Sequence, residues 1–243
     1  MPAPMSMPPQ SMPPVAELDI SNTHRLVPTE YRPGKVFREV ANEAEAKDAD
    51  LIASATGLPQ QQHSTGLAGI SHRELVYGVP NSEIVRNAFR FPGDGGRFHD
   101  RTRGAWYAAD DENVAIHEVA YHLVRRLKTS RGIQVSNADF PYDDWQADFH
   151  ADFYRLDSTR KYARYLQPEL VPECYAAGQE LARRILLNGG NGIVYPSVRF
   201  PDGVCVACFR PALVYRPRLT GTYVLTITLE PSGGHRVLQK KRK

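Results

Sequence analysis

The chain has 243 residues, of which 42% are hydrophobic and 23% are charged, and its formal net charge is +3 at pH 7. This composition is typical of a globular protein with one core and some extensions. Four of the positive charges lie in the last five residues, 239–243. The rest of the chain is close to neutral, which argues against nucleic-acid binding through a basic face.

The Met/Pro-rich start of the chain predicts a disordered leader over residues 1–16, followed by a folded domain over 17–230 and a solvated basic tail over 231–243. The N-terminus has no basic stretch followed by an apolar segment, and the sequence has no run of about 18 apolar residues. We therefore expect a cytoplasmic protein. Within the domain, residues 24–27 predict a first strand, and residues 36–55 and 82–89 predict helices.

The central unit begins with a short aromatic strand, which we predict over residues 105–109. Asp110 or Asp111 can cap the helix that follows. Apolar residues of that helix recur at the spacing of one helical face: Ile116, Val119, Ala120, Leu123 and Leu127.

The second half of the chain is dominated by short apolar segments. Residues 149–154 alternate as a half-buried strand does, and residues 173–187 predict a helix that ends at the following glycines. Four more short segments predict strands: 192–195, 204–209, 212–215 and 222–229. We expect an α+β fold with a mainly antiparallel sheet.

Two cysteines three positions apart, Cys205 and Cys208, invite a redox or zinc interpretation. The pair lies in a strand-like run, so the two side chains should point to opposite faces of a sheet. A second pair with the spacing of a zinc site is missing from the sequence. We therefore interpret both residues as small buried hydrophobes.

The segment HEVAYH resembles a zinc-binding helix, but its spacing does not fit. His117 and His122 are five positions apart and diverge by about 140° on a regular helix. They cannot share one metal ion, and no metal site is predicted. His122 instead lies one turn beyond Glu118 and can hydrogen-bond it.

Several polar and aromatic residues are open to two interpretations. Arg97 follows the glycine run GDGG, which forms either a mobile loop or a place where backbone amides and a guanidinium approach a phosphate. Glu118 lies either on the polar face of its helix or in a cleft, where it could stabilise positive charge on a sugar. Tyr107 belongs either to the core or to a ligand stack. Ser197 lies in a turn without the surroundings of a nucleophilic serine.

Taken together, these segments resemble the RES domain family, the toxins of RES–Xre type II toxin–antitoxin systems. The similarity covers residues 24–215. Three segments carry it: HRLVPTEYRP, then RFHDRTRGAWYAADDENVAIHEVAYH, then NGIVYPSVRFPDGVCVACFRP. Several motifs in the same order are more specific than any one of them.

The resemblance implies a fold related to ADP-ribosyltransferases and an activity that depletes NAD by splitting its nicotinamide–ribose bond. By position it implies that Arg97 binds the phosphates or ribose of NAD and that Tyr107 packs against the nicotinamide side. It also implies that Glu118 is the key acid and that Ser197 forms a hydrogen bond to the nucleotide. Arg25 matches an early arginine of the family and is also expected to bind NAD.

The resemblance leaves the roles of His99, Arg101 and Arg103 unassigned. It implies no cofactor, because NAD is the substrate, with inorganic phosphate as a candidate co-substrate. The acceptor can be water, phosphate or a macromolecule, so glycohydrolase, phosphorylase and ADP-ribosyltransferase all stay open. The implied partner is an Xre-like helix-turn-helix antitoxin. A non-enzymatic binding subunit of an antitoxin–DNA complex is the alternative from another class, and a homo-oligomer is also left open.

Overall fold

One sheet organises the chain over the residues that the computed structural model describes, which are 11–33, 69–129, 137–168, 172–230 and 234–242. Within these ranges the sheet has seven strands. They are β1 (Val15–Pro28), β2 (Trp106–Ala109), β3 (Ala138–Arg155), β4 (Gly192–Pro196), β5 (Val204–Cys208), β6 (Tyr215–Leu229) and β7 (His235–Arg242). The α-helices described are α1 (Ser82–Arg90), α2 (Glu112–Thr129) and α3 (Pro172–Leu187).

The strands are ordered β1-β2-β5-β4-β3-β6-β7, and β1 also pairs with β3. The first five strands of this order therefore form a closed ring. Each pairing is antiparallel except that of β3 with β4. The predicted α+β fold with a mainly antiparallel sheet is confirmed.

The ring is unevenly closed. β1 pairs with β3 from Val15 to Pro28, apart from an irregularity after Ile20. The same strand meets β2 through a single pair, His24 with Ala109. A narrow seam therefore separates β1 from β2 over most of their length.

Helices cover both faces of the sheet. Ile116 of α2 and Ile185 of α3 are fully buried in one core cluster, which also contains Leu26 of β1. Phe89 of α1 is buried in a second cluster against Trp106 of β2. Burial of such side chains stabilises the fold by about 1.5–3 kcal/mol each.

The two aspartates before α2 have different partners. Asp111 Oδ1 accepts the amide hydrogen of Asn113 at 2.8 Å, so this residue provides the predicted cap. Asp110 Oδ1 accepts the amide of Val204 at 3.0 Å and ties the start of the helix to β5. The position of α2 against the sheet is thereby set at its first turn.

The structure differs from the sequence predictions at four places. Strand β3 spans Ala138–Arg155, although only residues 149–154 were predicted as a strand. β1 begins at Val15, inside the predicted leader, and Met12 packs against the core. The segment 212–215 is not a separate strand: a 3-10 helix covers Pro211–Leu213, and β6 begins at Tyr215. The basic tail also contributes a strand, since β7 pairs with β6. The helix predicted over 36–55 lies outside the described residues.

The predicted burial of the cysteines and the predicted divergence of His117 and His122 are confirmed, whereas the hydrogen bond from His122 to Glu118 stays a prediction. Cys174, Cys205 and Cys208 are free and buried, and the last two belong to core clusters on opposite faces of the sheet. Burial raises the pKa of the Cys208 thiol to about 12. His117 packs against Phe200 while His122 lines an internal cavity, so the two rings do diverge. Among the described helices, none is long and apolar enough to cross a membrane.

Candidate functional site

A cavity of about 380 Å³ lies between the ring of strands and helices α2 and α3. Its volume falls in the range of small-molecule sites, roughly 300–1,000 Å³. Four of the residues singled out from the sequence line it: Arg25, Arg97, Tyr107 and Glu118. The fifth, Ser197, reaches the cavity through a hydrogen bond to Glu118. One site therefore gathers residues from β1, β2, α2 and the loop after β4.

Glu118 faces the cavity and not the solvent side of α2, which decides between its two interpretations. Its Oε1 accepts a hydrogen bond of 2.6 Å from the Ser197 hydroxyl. The serine oxygen in turn accepts the backbone amides of Arg199 at 3.2 Å and Phe200 at 3.1 Å. In the structure Ser197 therefore holds Glu118 in place. The Ser197 hydroxyl could donate to a nucleotide only by giving up its hydrogen bond to Glu118.

Arg25 fills the seam between β1 and β2. Its guanidinium lies 4.9 Å from the centre of the Trp106 ring, and Nη1 donates to the Tyr107 carbonyl at 3.2 Å. Burial lowers its pKa to about 10, which leaves it charged at neutral pH. Its Nε is buried and has no hydrogen-bond partner among the described residues. The residue lines the cavity, where its positive charge favours an anionic ligand.

Arg97 is buried and partly committed to the protein itself. Its Nη1 donates to the carbonyls of Tyr165 and Gln167, both at 2.9 Å. The guanidinium lies 5.4 Å from the centre of the Tyr175 ring. Since Nη1 carries two hydrogens, contacts from Arg97 to a ligand would come from Nη2 or Nε.

The glycine loop does not offer its amides to a ligand in the predicted way. Gly95 donates its amide to the Pro92 carbonyl at 3.1 Å, and Gly96 donates to the His99 carbonyl at 2.8 Å. Both glycines line the cavity, but these donors are used within the turn. The interpretation of the loop as an amide cradle for phosphate is therefore wrong for these two residues.

Tyr107 anchors the loop through its hydroxyl. The Phe98 amide donates to that oxygen at 2.9 Å, and His99 Nδ1 lies 2.9 Å from it. His99 Nε2 lies 3.1 Å from the Pro92 carbonyl, which can only accept. The ring is therefore protonated at Nε2 and accepts the tyrosine proton at Nδ1. Burial lowers the pKa of His99, which keeps this neutral form.

Five cavity residues were missed as site residues: His24, His122, Arg125, Tyr175 and Tyr195. They come from four elements far apart in sequence, and no local pattern joins them. Desolvation lowers the pKa of His122, and the positive charges of Arg199 and Arg97 lower it further. The signal that was available is the helical spacing of four that places His122 on the same face as Glu118.

The charges around the cavity are unequal. Among the described residues, the guanidinium groups of Arg25, Arg97 and Arg125 line it together with one carboxylate, that of Glu118. The excess of positive charge attracts an anionic ligand, and the one carboxylate can stabilise a positively charged part of that ligand.

The two other arginines of the glycine-loop region serve the fold. Arg101 pairs with Asp94 at the surface, at 2.9 Å. Arg103 donates to Glu74 at 2.7 Å and to the Phe209 carbonyl at 2.8 Å. These contacts tie the loop to the rest of the domain.

Comparison with known proteins gives one family match. The model of the RES domain matches residues 75–228. A solved structure, the crystal structure of the M. tuberculosis MbcT–MbcA toxin–antitoxin complex, is similar with 15% identity and a TM-score of 0.34. The similarity covers 57% of this chain and 76% of that one. No curated protein matches the chain.

Proposed function

The chain belongs to the RES domain family of toxins from toxin–antitoxin systems, and on this premise we propose that it is a toxin that cleaves the nicotinamide–ribose bond of NAD. The observation that carries the proposal is the convergence of Arg25, Arg97 and Glu118 on one cavity. Two guanidinium groups suit a diphosphate, and a carboxylate suits the ribose that becomes cationic in the reaction.

Cleavage of the nicotinamide–ribose bond does not require a general acid. Nicotinamide in NAD carries a positive charge and leaves as a neutral molecule, so no proton has to be supplied to it. The protein must hold the diphosphate, limit access of water and stabilise an oxocarbenium-like ribose. Glu118, held by Ser197 at 2.6 Å, would provide the last of these, through a ribose hydroxyl or directly.

The remaining walls would position the two halves of the dinucleotide. Arg25, which lines the cavity, would contact the diphosphate from the seam with its guanidinium. Arg97 would add its Nη2 or Nε. The ring of Tyr107, fixed by its hydroxyl contacts to Phe98 and His99, would pack against the nicotinamide.

The decisive experiment is incubation of purified protein with NAD, with and without inorganic phosphate, and identification of the products by mass. Release of nicotinamide with ADP-ribose indicates water as the acceptor, and ADP-ribose phosphate indicates phosphate. ADP-ribose attached to a macromolecule in a lysate would show the transferase alternative. If NAD stays intact in all arms, the proposed function is wrong.

We predict that Glu118→Gln lowers the rate of nicotinamide release by about 100- to 1,000-fold, because it removes the charge that stabilises the ribose. The matched control is Glu180→Gln on α3, which changes an exposed acid paired with Arg183. This control should keep the wild-type rate. A folded Glu118→Gln protein with full activity would rule out the proposed role of the acid.

As a toxin, the protein is expected to act with an antitoxin, which we propose to be the Xre-like helix-turn-helix protein of such systems. Expression of the chain alone should stop growth and lower cellular NAD, and co-expression of its antitoxin should prevent both. A binding subunit without activity would leave growth and NAD unchanged when expressed alone.

A further inference from the structure

Two strands place a histidine on the wall of the cavity and a buried carboxylate next to it. His24 of β1 lies opposite Gln146 of β3, and Leu26 lies opposite Asp144. Side chains two positions apart on a strand share a face. His24 therefore faces the same side of the sheet as Leu26, which packs in the core under α2 and α3. His24 and Leu26 both line the cavity, and Asp144 lies behind His24.

The contacts of the ring define which nitrogen can accept a proton. His24 Nδ1 lies 3.0 Å and 3.1 Å from the two carboxylate oxygens of Asp144. An ionised carboxylate only accepts, so Nδ1 carries the hydrogen and the lone pair of the ring is at Nε2. The amide nitrogen of Gln146 lies 3.4 Å from Nε2, a long contact from a donor that leaves this lone pair weakly engaged.

The carboxylate is well placed to stabilise a charged ring. The Asp144 side chain is 1% exposed and that of His24 is 14% exposed. Besides the ring, Asp144 accepts the Thr220 hydroxyl at 2.8 Å. The ring and the Thr220 hydroxyl are both neutral donors when His24 is unprotonated. A buried carboxylate is stabilised more strongly when its hydrogen-bond partner becomes a cation. A carboxylate behind a histidine plays this part in hydrolytic triads.

We propose that His24 is the group that takes the proton from the attacking water, with Asp144 as its positioning residue. This inference rests on the proposed cleavage of NAD. In this step the bond between the ribose C1′ and the nicotinamide nitrogen breaks, and its electron pair leaves with neutral nicotinamide. The water oxygen bonds to C1′, and one of its protons passes to Nε2 of His24. The product is ADP-ribose, and Asp144 balances the charge of the imidazolium until the proton returns to solvent.

The test uses azide, an anionic nucleophile that reacts without losing a proton. His24→Gln should release nicotinamide about 100-fold more slowly than the wild type, which is the lower end of the usual effect of a general base. Sodium azide should restore its rate and give the azide of ADP-ribose, identified by mass. Asp144→Asn should behave in the same way. Glu118→Gln should not be restored, because its defect lies in stabilising the ribose.

The chain provides a matched control pair on the same two strands. His150 of β3 lies 2.6 Å from Asp19 of β1, and both are exposed. His150→Gln repeats the chemical change outside the cavity and should keep the wild-type rate. Circular dichroism spectra establish whether each variant is folded. If Asp144→Asn does not fold, His24→Gln alone tests the proposal.

The outcomes separate this inference from the proposed function. Failure of the wild type to release nicotinamide overturns both. If the wild type releases nicotinamide, three results overturn the role of His24 alone: an unchanged rate in His24→Gln, a slow variant that azide does not restore, or release that depends on inorganic phosphate.

Discussion

Glu118 depends on a residue 79 positions later in the chain, because the hydroxyl of Ser197 donates to its carboxylate. The carboxylate could be singled out from the sequence because it interrupts an apolar helix. Its partner could be named only through the resemblance to the RES domain. His24 was missed for a similar reason, since its partner Asp144 is 120 positions away and neither residue is unusual in its local sequence.

At this scale we predict that Ser197→Ala slows nicotinamide release by at least about tenfold. A hydrogen bond to a charged group contributes roughly 1.5–3 kcal/mol, and the variant removes the one that orients Glu118. Steady-state kinetics of the purified variant measure the effect. Ser158→Ala changes an exposed serine and serves as the control. Equal rates for both variants would show that the acid needs no such support.

A second prediction concerns the pH dependence of stability. Burial lowers the pKa of His99 in the folded protein, so the unfolded chain binds this proton more readily. The stabilising effect is therefore complete above the ordinary histidine pKa of about 6.5, and it is lost as the pH falls from there toward the lower folded pKa. His99→Gln can keep the contacts to Tyr107 and Pro92 without titrating. Its Tm should fall less than that of the wild type between pH 7 and pH 5, and parallel curves would contradict the assignment.

Among the secondary-structure elements, strands with strong apolar patterns were predictable and strands with weak ones were not. β5 was found because its apolar run is continuous. β7 was missed because an edge strand pairs on one side only and often carries lysine and arginine, so its composition is that of a solvated tail. The start of β1 does alternate, with Ala16, Leu18 and Ile20 half-buried, but the Met/Pro-rich residues before it obscured that signal.

Helix α3 supports the site through close contact with the segment of Arg97. Gln179 donates its side-chain amide to the Gly96 carbonyl at 3.0 Å. One residue earlier, a Cβ on Gly178 would lie 2.2 Å from the Arg97 carbonyl oxygen. A glycine is therefore required where the helix touches the loop.

We accordingly predict that Gly178→Ala lowers both the Tm and the rate of NAD cleavage. In an exposed helix the same change stabilises by about 1 kcal/mol, so the expected sign is opposite to that of helix propensity. Ala176→Gly on the exposed side of α3 measures the propensity effect alone. Thermal unfolding and activity assays test the prediction, and an increase in Tm for Gly178→Ala would refute the close contact.

For the whole molecule, the cavity joins elements that are distant in sequence, so a ligand should stabilise the entire fold. At 100 times its Kd a ligand adds about 2.7 kcal/mol, which for a chain of this size raises the Tm by about 5–10 °C. We predict this increase for Glu118→Gln with NAD, because the variant keeps the arginines. Arg25→Gln should lose most of it. Equal increases in both variants would show that Arg25 does not bind the nucleotide.

A single pair, His24 with Ala109, joins β1 to β2, so we expect the ring of strands to open most easily at this junction. Amide hydrogens along it should exchange with deuterium in solvent sooner than those between β1 and β3, where pairing continues along the strand. Because Arg25 bridges the same junction, occupation of the cavity should slow this local exchange before it alters that of any other part of the sheet.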